Sequence, residues 1–227
     1  MLPYIKLRSY GPKVKKNNIV IMEGEEEYLK VCEEIKILIQ KTGELLEGNC
    51  MYKHLSMNPW DCLLNKRKNY QSAVKGKKKI CEIGFNAGHS VLAMMFANPE
   101  AEYVLFDLGE HQYSKPCFAH IKKRLPHISM TIKWGDSRKT LLAYHKANPK
   151  TSFDLLHIDG GHRYEVYSAD WENSLRITNS GSTIIFDDTD NRKISAFLNS
   201  EIKKGTVIEE IGFLKTYGYE HRIFLRP

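Results

Sequence analysis

The sequence predicts an α/β fold with a seven-stranded, mostly parallel sheet and helices on both faces. The first observation is that apolar strand patterns and helical patterns alternate regularly from residue 79 onward. The second is that the runs at 153–158 and 182–186 are short, apolar and β-branched, which is typical of buried parallel strands. The third is that only FLKTYGYE separates the last two strands, which is too short for a helical crossover. The last strand is therefore predicted to be antiparallel.

Five strand and helix pairs form the predicted core. The strands are KICEI, YVLFD, SMTIK, FDLLHID and STIIFD, and the helices after them are expected to begin at His89, Tyr113, Arg138, Tyr164 and Asn191. Two further strands, TVIEEIG and HRIFL, are expected to close the sheet as a hairpin. The parallel connections are expected to be right-handed.

Residues 1–71 are predicted to form a helical and irregular cap or lid, ahead of a core domain at residues 72–227. The first twenty residues are expected to be irregular, because Gly11-Pro12 and Asn17-Asn18 break regular structure. Residues 25–46 carry one apolar stripe at helical spacing, and the acidic start GEEE complements the helix dipole. NPW at 58–60 marks a turn between two short helices.

The net charge of +7 lies entirely in the N-terminal third of the chain. Residues 1–79 hold 16 Lys and Arg against 9 Asp and Glu, whereas residues 80–227 hold 18 of each. The runs KVKK, KRK and KGKKK could contact nucleic acid or another polyanion. A solvated basic face is the commoner explanation, and no aromatic-interleaved RNA-reading motif accompanies the runs. Nucleic acid is therefore not the expected partner.

Composition is that of an ordinary globular protein, with 42% hydrophobic and 27% charged residues. No apolar run approaches the length of a membrane span and none resembles a signal peptide, so we expect a cytoplasmic protein without membrane contact. The cysteines are odd in number and lack metal-binding spacing, so they are expected to be reduced and mostly buried. They are Cys32, Cys50, Cys62, Cys81 and Cys117.

A glycine-containing turn, EIGFNAGHS at 82–90, follows the first core strand. Its glycines, Gly84 and Gly88, have neither the GxGxxG spacing nor the Lys-Ser/Thr of a P-loop, which disfavours phosphate binding. Asp107 ends the second strand, where an acid would accept hydrogen bonds from ribose hydroxyls. Asp136 follows the third strand and could accept from an adenine amino group. Either aspartate could instead cap a helix, but their recurrence favours a bound adenosine.

Four polar residues follow two neighbouring strands of the predicted sheet. Asp159 and His162 lie in HIDGGH, and Asp187 and Asp188 lie in IIFDDTD. Ligands of open α/β sheets bind beyond the carboxyl ends of the strands, where three clustered carboxylates would repel one another without a cation. Oxygen donors favour Mg²⁺, Ca²⁺ or Mn²⁺. The alternative is that one aspartate caps a helix and the others are solvated.

These motifs resemble the class I S-adenosylmethionine-dependent methyltransferases over about residues 72–227. More narrowly, the chain is similar to the metal-dependent O-methyltransferases of macrolide and aminocoumarin sugars and to their cephalosporin-biosynthesis relatives. The resemblance implies a Rossmann-like methyltransferase fold, Mg²⁺ on Asp159, Asp187 and Asp188, and His162 as the general base. Catechol and caffeoyl-coenzyme A methyltransferases are also similar, but the catechol enzymes usually carry lysine at the base position.

The same resemblance assigns a set of residues to the cofactor. They are Glu82, Gly84, Phe85, Asn86, Gly88 and Ser90 around the methionine portion, Asp107 at the ribose, Asp136 and Ser137 at the adenine, and Asp159. In this family the N-terminal region commonly supplies a lid and the acceptor specificity.

The expected reaction is methyl transfer to a hydroxyl of a small acceptor, most simply a sugar with a vicinal diol. Coordination to the cation would lower the hydroxyl pKa, and His162 would take the proton. His157 is expected to face the other side of its strand and to be a core residue. The aromatic residues Trp60, Tyr70, Trp134 and Tyr217 are candidates for an acceptor pocket, although such residues are more often core.

Two other classes of function remain open from the sequence. One is an RNA or protein methyltransferase that docks its substrate on the basic N-terminal third. The other is a nucleotide-binding module without catalytic activity. Neither needs three clustered aspartates and a histidine. A homo-oligomer is a further possibility, since members of the family often assemble.

Overall fold

A computed structural model describes residues 24–53, 57–216 and 218–227. The predictions for the first twenty residues, for KVKK and for Tyr217 therefore lie outside the described residues. The N-terminal region contains α1 (Glu25–Thr42), a 3-10 turn (Asp61–Leu63) and α2 (Leu64–Ala73). The predicted boundary at residues 71 and 72 falls inside α2.

Strands and helices alternate through the rest of the chain, as the sequence predicts. In order they are β1 (Lys79–Ile83), α3 (His89–Ala97), β2 (Glu102–Asp107), α4 (Ser114–Arg124), β3 (Met130–Trp134), α5 (Ser137–Ala147), β4 (Phe153–Ile158), α6 (Tyr164–Arg176), β5 (Thr178–Phe186), α7 (Arg192–Lys203), β6 (Ile208–Glu209) and β7 (Arg222–Leu225). The predicted helix starts agree with these bounds to within one residue.

The seven strands form one sheet in the order β3-β2-β1-β4-β5-β7-β6. The first five strands are parallel, and β7 is antiparallel to both β5 and β6. The predicted fold class, including the antiparallel closing strand, is confirmed. The chain order reverses direction between β1 and β4, which is where ligands of open α/β sheets bind.

Two elements are clearly shorter than predicted, and β5 begins earlier, at Thr178 instead of Ser182. Helix α1 ends at Thr42 rather than at Leu46, because Gly43 adopts a left-handed conformation with φ of 74° and caps the helix. Strand β6 pairs over only two residues, Ile208 with Leu225 and Glu209 with Phe224, so most of TVIEEIG lies outside the sheet.

Two apolar clusters cover the two faces of the sheet. Helices α1, α2, α3 and α4 pack on one face, and α5, α6 and α7 pack on the other. The stripe of α1 is buried, as predicted, through Tyr28, Val31, Cys32, Ile35 and Ile39. Helix α1 is therefore part of the core layer, and α2 packs beside it against α3.

All five cysteines are free, and four of them are buried, with Cys62 exposed. This agrees with the expectation of reduced, mostly buried thiols. In the described part of the chain, each helix is too short or too polar to span a bilayer.

Candidate active site

The register of the sheet aligns the ends of its central strands. Ile83 of β1 pairs with Ile158 of β4, and Ile158 pairs with Phe186 of β5. The next residues, Gly84, Asp159 and Asp187, therefore meet at one edge of the sheet. A cavity of about 500 Å³ opens there, and its walls include Asp107, Asp136, Asp159, His162 and Asp188.

Gly84 is required by the close approach of two strand ends. Its φ is 93°, and a Cβ atom there would lie 1.9 Å from the carbonyl oxygen of Asp159. Gly88 also has a positive φ, of 90°, but a Cβ there would lie 2.7 Å from Phe85 and Ile121. Gly84 therefore shapes the cavity wall, whereas Gly88 allows α3 to pack on its neighbours.

The carboxylate of Asp107 is held rigidly at the cavity wall. Its Oδ2 accepts a hydrogen bond from the backbone N–H of Asn86 at 2.7 Å, and its Oδ1 accepts from Gly109 at 2.7 Å. Burial raises the pKa of Asp107 and these two donors oppose the rise, with a net shift upward. Asp107 lines the cavity, and its contact with ribose hydroxyls stays a prediction.

A segment of the N-terminal region closes over the same cavity. Residues 44–50, called the strap below, contribute Glu47 and Gly48 to its wall. The side-chain amide of Asn86 donates to the carbonyl oxygens of Glu47 at 2.5 Å and Gly48 at 2.8 Å. Backbone N–H of Gln112 donates to Glu44 at 2.9 Å. Asn86 therefore serves as a tether for the strap, a role that its sequence position did not reveal.

Asp136 and Ser137 lie at the far end of the cavity, where the adenine is predicted. Asp136 caps α5 by accepting from the backbone N–H of Arg138 at 3.0 Å, and the Arg138 guanidinium donates to it at 2.7 Å. These contacts hold the pKa of Asp136 below its ordinary value. The capping alternative is therefore correct for Asp136, and its contact with adenine stays a prediction.

Glu82 and His157 form a buried pair beneath the cavity. Glu82 Oε1 accepts hydrogen bonds from Ser90 Oγ at 2.5 Å and pairs with His157 Nδ1 at 2.9 Å. Both side chains are fully buried. Burial lowers the pKa of His157, but Glu82 outweighs it and the net shift is upward. Glu82 lies outside the wall of the 500 Å³ cavity, and its contact with cofactor stays a prediction.

The orientation predicted for His157 is wrong, although its burial is correct. His157 Nε2 lies 3.9 Å from Asp187 Oδ2, so the ring faces the acid cluster rather than the opposite side of the sheet. Residues 157 and 159 share a face because side chains alternate along a strand.

Phe85 and Ser90 line a smaller hollow behind the Gly84 turn, together with Asp159.

The predicted aromatic pocket is not present at this cavity in the described part of the chain. Trp60 packs edge-on against Tyr219, and Trp134 packs against Phe85. Tyr70 is fully buried, and its hydroxyl donates to Asp187 Oδ2 at 2.9 Å. Tyr70 is therefore a core residue, whereas Trp60 and Trp134 are partly buried and do not line the cavity.

Asp187 is buried and already surrounded by donors. Lys66 Nζ lies 2.6 Å from its Oδ2, and the two side chains are 5% and 2% exposed. The backbone N–H of Asp188 donates to Oδ1 at 2.9 Å. Burial would raise the pKa of Asp187, but Lys66 and His157 lower it below its ordinary value. Lys66 is a second residue, besides His157, that the sequence interpretation misplaced, since KRK was taken as a basic surface.

The four predicted site residues converge, but in two separate arrangements. One ligand atom each of His157, Asp159 and Asp187 lies within 4.8 Å of the other two, a spacing that could surround a metal ion. Burial and repulsion from Asp187 raise the pKa of Asp159 well above its ordinary value. Asp188 lies apart from this trio, because its carboxylate contacts His162 instead.

His162 and Asp188 form a pair at the mouth of the cavity. His162 Nε2 lies 2.6 Å from Asp188 Oδ2, and the side chains are 57% and 27% exposed. The hydrogen bond to Asp188 raises the pKa of His162, and burial opposes it more weakly. The structure thus shows His162 bonded to a carboxylate, with Asp188 as the partner.

A divalent cation fits this donor set poorly. The carboxylates are of the type that Mg²⁺ prefers, and the spacing of the trio is suitable. However, such an ion would have to coordinate Asp187, whose Oδ2 already accepts from Lys66 and Tyr70. The ammonium of Lys66 and a divalent ion cannot share that oxygen without strong repulsion.

The comparisons with known proteins agree with the fold. Residues 81–189 match the methyltransferase domain family. No curated protein matches the chain in sequence. An O-methyltransferase from Bacillus cereus, solved in complex with S-adenosylhomocysteine, aligns with a TM-score of 0.65 and 16% identity, over 87% of this chain and 91% of that chain.

Two further structures come from biosynthetic enzymes. TomG from Streptomyces achromogenes, an O-methyltransferase of tomaymycin synthesis bound to S-adenosylmethionine, aligns with a TM-score of 0.61 and 14% identity over 87% and 89% of the two chains. CalS11, a TDP-rhamnose 3'-O-methyltransferase of calicheamicin biosynthesis, aligns with a TM-score of 0.55 and 19% identity. The alignment covers 88% of this chain and 94% of that chain.

The strand order and the structural matches agree in one fold, the Rossmann-like methyltransferase fold that the sequence predicts. Within it, residues 81–189 form a methyltransferase domain.

Proposed function

We propose that this protein transfers the methyl group of S-adenosylmethionine to a hydroxyl oxygen of a small acceptor, most simply a sugar with a vicinal diol. The observation that carries the proposal is the His162 and Asp188 pair beside Asp159 at the mouth of the cavity. O-methyltransferases of similar fold support it, and one of them, CalS11, acts on a sugar nucleotide.

Cofactor binding is supported by the dimensions and the polar groups of the cavity. A volume of about 500 Å³ is within the range of small-molecule sites. Asp107 is aimed at the cavity by two backbone donors, so its remaining lone pairs are available to ribose hydroxyls. Two of the structures of similar fold hold the cofactor or its demethylated product.

The proposed base is the free ring nitrogen of His162. The carboxylate of Asp188 can only accept, so His162 Nε2 carries the proton between them and Nδ1 keeps its lone pair. Nδ1 would take the acceptor hydroxyl proton as the oxygen forms a bond to the methyl carbon and the carbon–sulfur bond breaks. Asp188 would then stabilise the resulting imidazolium.

The diol preference rests on two carboxylates at one end of the cavity. Asp159 and Asp188 both line it, and each can accept a hydrogen bond from one of two adjacent hydroxyls. Such a pair of contacts would orient one oxygen towards the methyl group. A magnesium ion, which the sequence resemblance implies, would find the required oxygen of Asp187 already in contact with Lys66.

Docking of RNA on the basic N-terminal third has weaker support. Of the KRK run, Lys66 is buried on Asp187, and Arg67 donates to the carbonyl oxygen of Cys50 at 2.7 Å. In the same region Lys77 donates to Thr183 and Lys79 pairs with Glu102. Much of the predicted basic surface in the described residues is therefore engaged within the protein.

The test is a methyl-transfer assay with radiolabelled S-adenosylmethionine. Diol-bearing sugar nucleotides, their deoxy analogues lacking one hydroxyl, and bulk RNA serve as acceptors. Alkali-stable label in a diol sugar, absent from its deoxy analogue, is the expected result, since methyl ethers survive alkali and methyl esters do not. Label transferred to RNA, or no binding of S-adenosylhomocysteine in a calorimetric titration, would contradict the proposal.

A further inference from the structure

We propose that Lys66 is the resident cation of the acid cluster and occupies the place of a divalent metal ion, so that the site works without one. The inference takes its catalytic meaning from the proposed function. Its test, however, measures metal binding and needs no turnover.

The ion pair between Lys66 and Asp187 lies in the interior. The Nζ to Oδ2 distance is 2.6 Å, and the two side chains are 5% and 2% exposed. A buried carboxylate needs a compensating charge, and this one has a full positive charge in direct contact. The electrostatic field of Lys66 also reaches Asp159 and Asp188. Its ammonium therefore contacts one of the three carboxylates that the sequence resemblance assigns to Mg²⁺ and acts electrostatically on the other two.

Asp187 also has few coordination positions left. Oδ2 accepts from both Lys66 and the hydroxyl of Tyr70, and Oδ1 accepts from the backbone N–H of Asp188. A divalent ion would have to displace these donors to coordinate Oδ2. It would also leave the Lys66 ammonium buried beside a double positive charge, which is strongly unfavourable.

Most of the acids at the site have a partner within the protein. Three of its four acids have a partner of their own: Asp187 with Lys66, Glu82 with His157, and Asp188 with His162. Of these four acids, Asp159 is the one without such a partner. The repulsion that a metal ion would offset is therefore reduced by contacts within the protein, above all by Lys66.

Lys66 is held in place by the helix that carries it. Tyr70 lies one turn further along α2 and donates to the same oxygen of Asp187. Between them, Asn69 donates to the carbonyl oxygen of Leu214 at 2.8 Å and accepts from its N–H at 2.9 Å. The buried face of α2 is thus fixed at three positions, and Lys66 cannot turn outward without moving the helix.

The test uses Mn²⁺ as the probe, because electron paramagnetic resonance detects the free ion and its loss on binding. Mn²⁺ is titrated into wild-type protein, Asp187→Asn, Lys66→Gln and the double variant Lys66→Gln/Asp187→Asn. Lys68→Gln is the matched control, since it removes the same charge from the exposed side of the same helix. Circular dichroism and titration with S-adenosylhomocysteine check each variant for folding and cofactor binding.

We expect no difference in Mn²⁺ binding between wild type and Asp187→Asn. Lys66→Gln should gain a site at least about tenfold tighter than any in wild type, because one positive charge is removed from the cluster. That site should disappear in the double variant and be absent from Lys68→Gln.

Two results would overturn the inference. One is wild-type binding of Mn²⁺ that Asp187→Asn abolishes, and the other is a folded Lys66→Gln without a gained site. If Lys66→Gln does not fold, the wild-type and Asp187→Asn titrations decide alone. Wild-type protein that binds both S-adenosylhomocysteine and Mn²⁺ at Asp187 would contradict this inference but not the proposed function. Wild-type protein that does not bind S-adenosylhomocysteine would contradict the proposed function.

Discussion

His162 Nε2 lies 2.6 Å from Asp188 Oδ2, so the loops after two adjacent strands, β4 and β5, are joined by one hydrogen bond at the cavity mouth. Asp188 reaches this position with φ of 54°, in the left-handed region that favours Asn and Asp among side-chain-bearing residues. The bond fixes the ring and leaves its second nitrogen facing away from Asp188.

Replacement of His162 by Ala should lower turnover by about 10² to 10⁴, the usual contribution of a general base. Binding of S-adenosylhomocysteine should be unchanged, since the proposed cofactor contacts lie elsewhere on the wall. Single-turnover rates and calorimetry measure the two effects. His127→Ala removes an exposed histidine and is the control. Equal rates in the two variants would assign proton transfer to another group.

Replacement of Asp107 by Ala should weaken binding of S-adenosylhomocysteine by about 1.5–3 kcal/mol, the range for hydrogen bonds to a charged group. The carboxylate also fixes Asn86 and Gly109, so the melting temperature is measured in parallel to separate binding from folding. Glu100→Ala, at an exposed position, should change neither quantity. Unaltered cofactor affinity in a folded Asp107→Ala would refute the ribose contact.

Gly84 and Gly181 offer a matched pair of backbone tests. Both have positive φ, 93° and 83°, but a Cβ at Gly84 would meet Asp159 at 1.9 Å while Gly181 has open space within 4 Å. Gly181→Ala should therefore lower the free energy of unfolding by about 1–2 kcal/mol, from backbone strain alone. Gly84→Ala should cost clearly more or prevent folding. Urea denaturation measures both, and similar losses would disprove the close approach.

Asp170, on α6, should make stability depend on pH. Burial raises the pKa of Asp170 to about 6, above its ordinary value of 3.8. The native state thus binds a proton at Asp170 more tightly than the unfolded state does. The contribution of Asp170 to the free energy of unfolding therefore falls as the pH rises from about 4 to 6, and it stays low at higher pH. The gain in free energy of unfolding from Asp170→Asn should therefore be larger at pH 8 than at pH 4, by up to about 3 kcal/mol.

The control for Asp170 is Glu172→Gln, which removes the same charge from an exposed position of α6. Thermal unfolding of each variant at the two pH values gives the comparison. If the melting temperature of Asp170→Asn differs from that of wild type by the same amount at both pH values, the raised pKa of Asp170 is contradicted.

The sequence predicts the sheet well because its signal is local. Alternation of apolar strands and helices gives the strand number and the antiparallel end, and the last residue of each strand places Asp107, Asp159 and Asp187 at one edge. The end of α1 was also readable, since Gly43 is a common helix terminator.

The missed features depend on packing between distant segments. Lys66 lies in a run of three basic residues, and nothing local distinguishes it from exposed Lys68. Its four-residue spacing from Tyr70 was the one available sign that both belong to a buried helical face. The tether from Asn86 to the strap joins positions nearly forty apart in the chain and has no sequence signature.

Helix α2 also limits how this protein can diversify. This helix supplies Lys66 and Tyr70 to Asp187. A chimera that replaced the whole N-terminal segment with that of a relative would therefore leave the Asp187 carboxylate buried without these partners. The strap, by contrast, contributes two backbone carbonyls that accept from Asn86, which many sequences could present, and a side-chain contact, from Glu44 to the backbone of Gln112. New acceptor preferences are therefore more readily engineered by varying the strap alone than by exchanging the segment as a module.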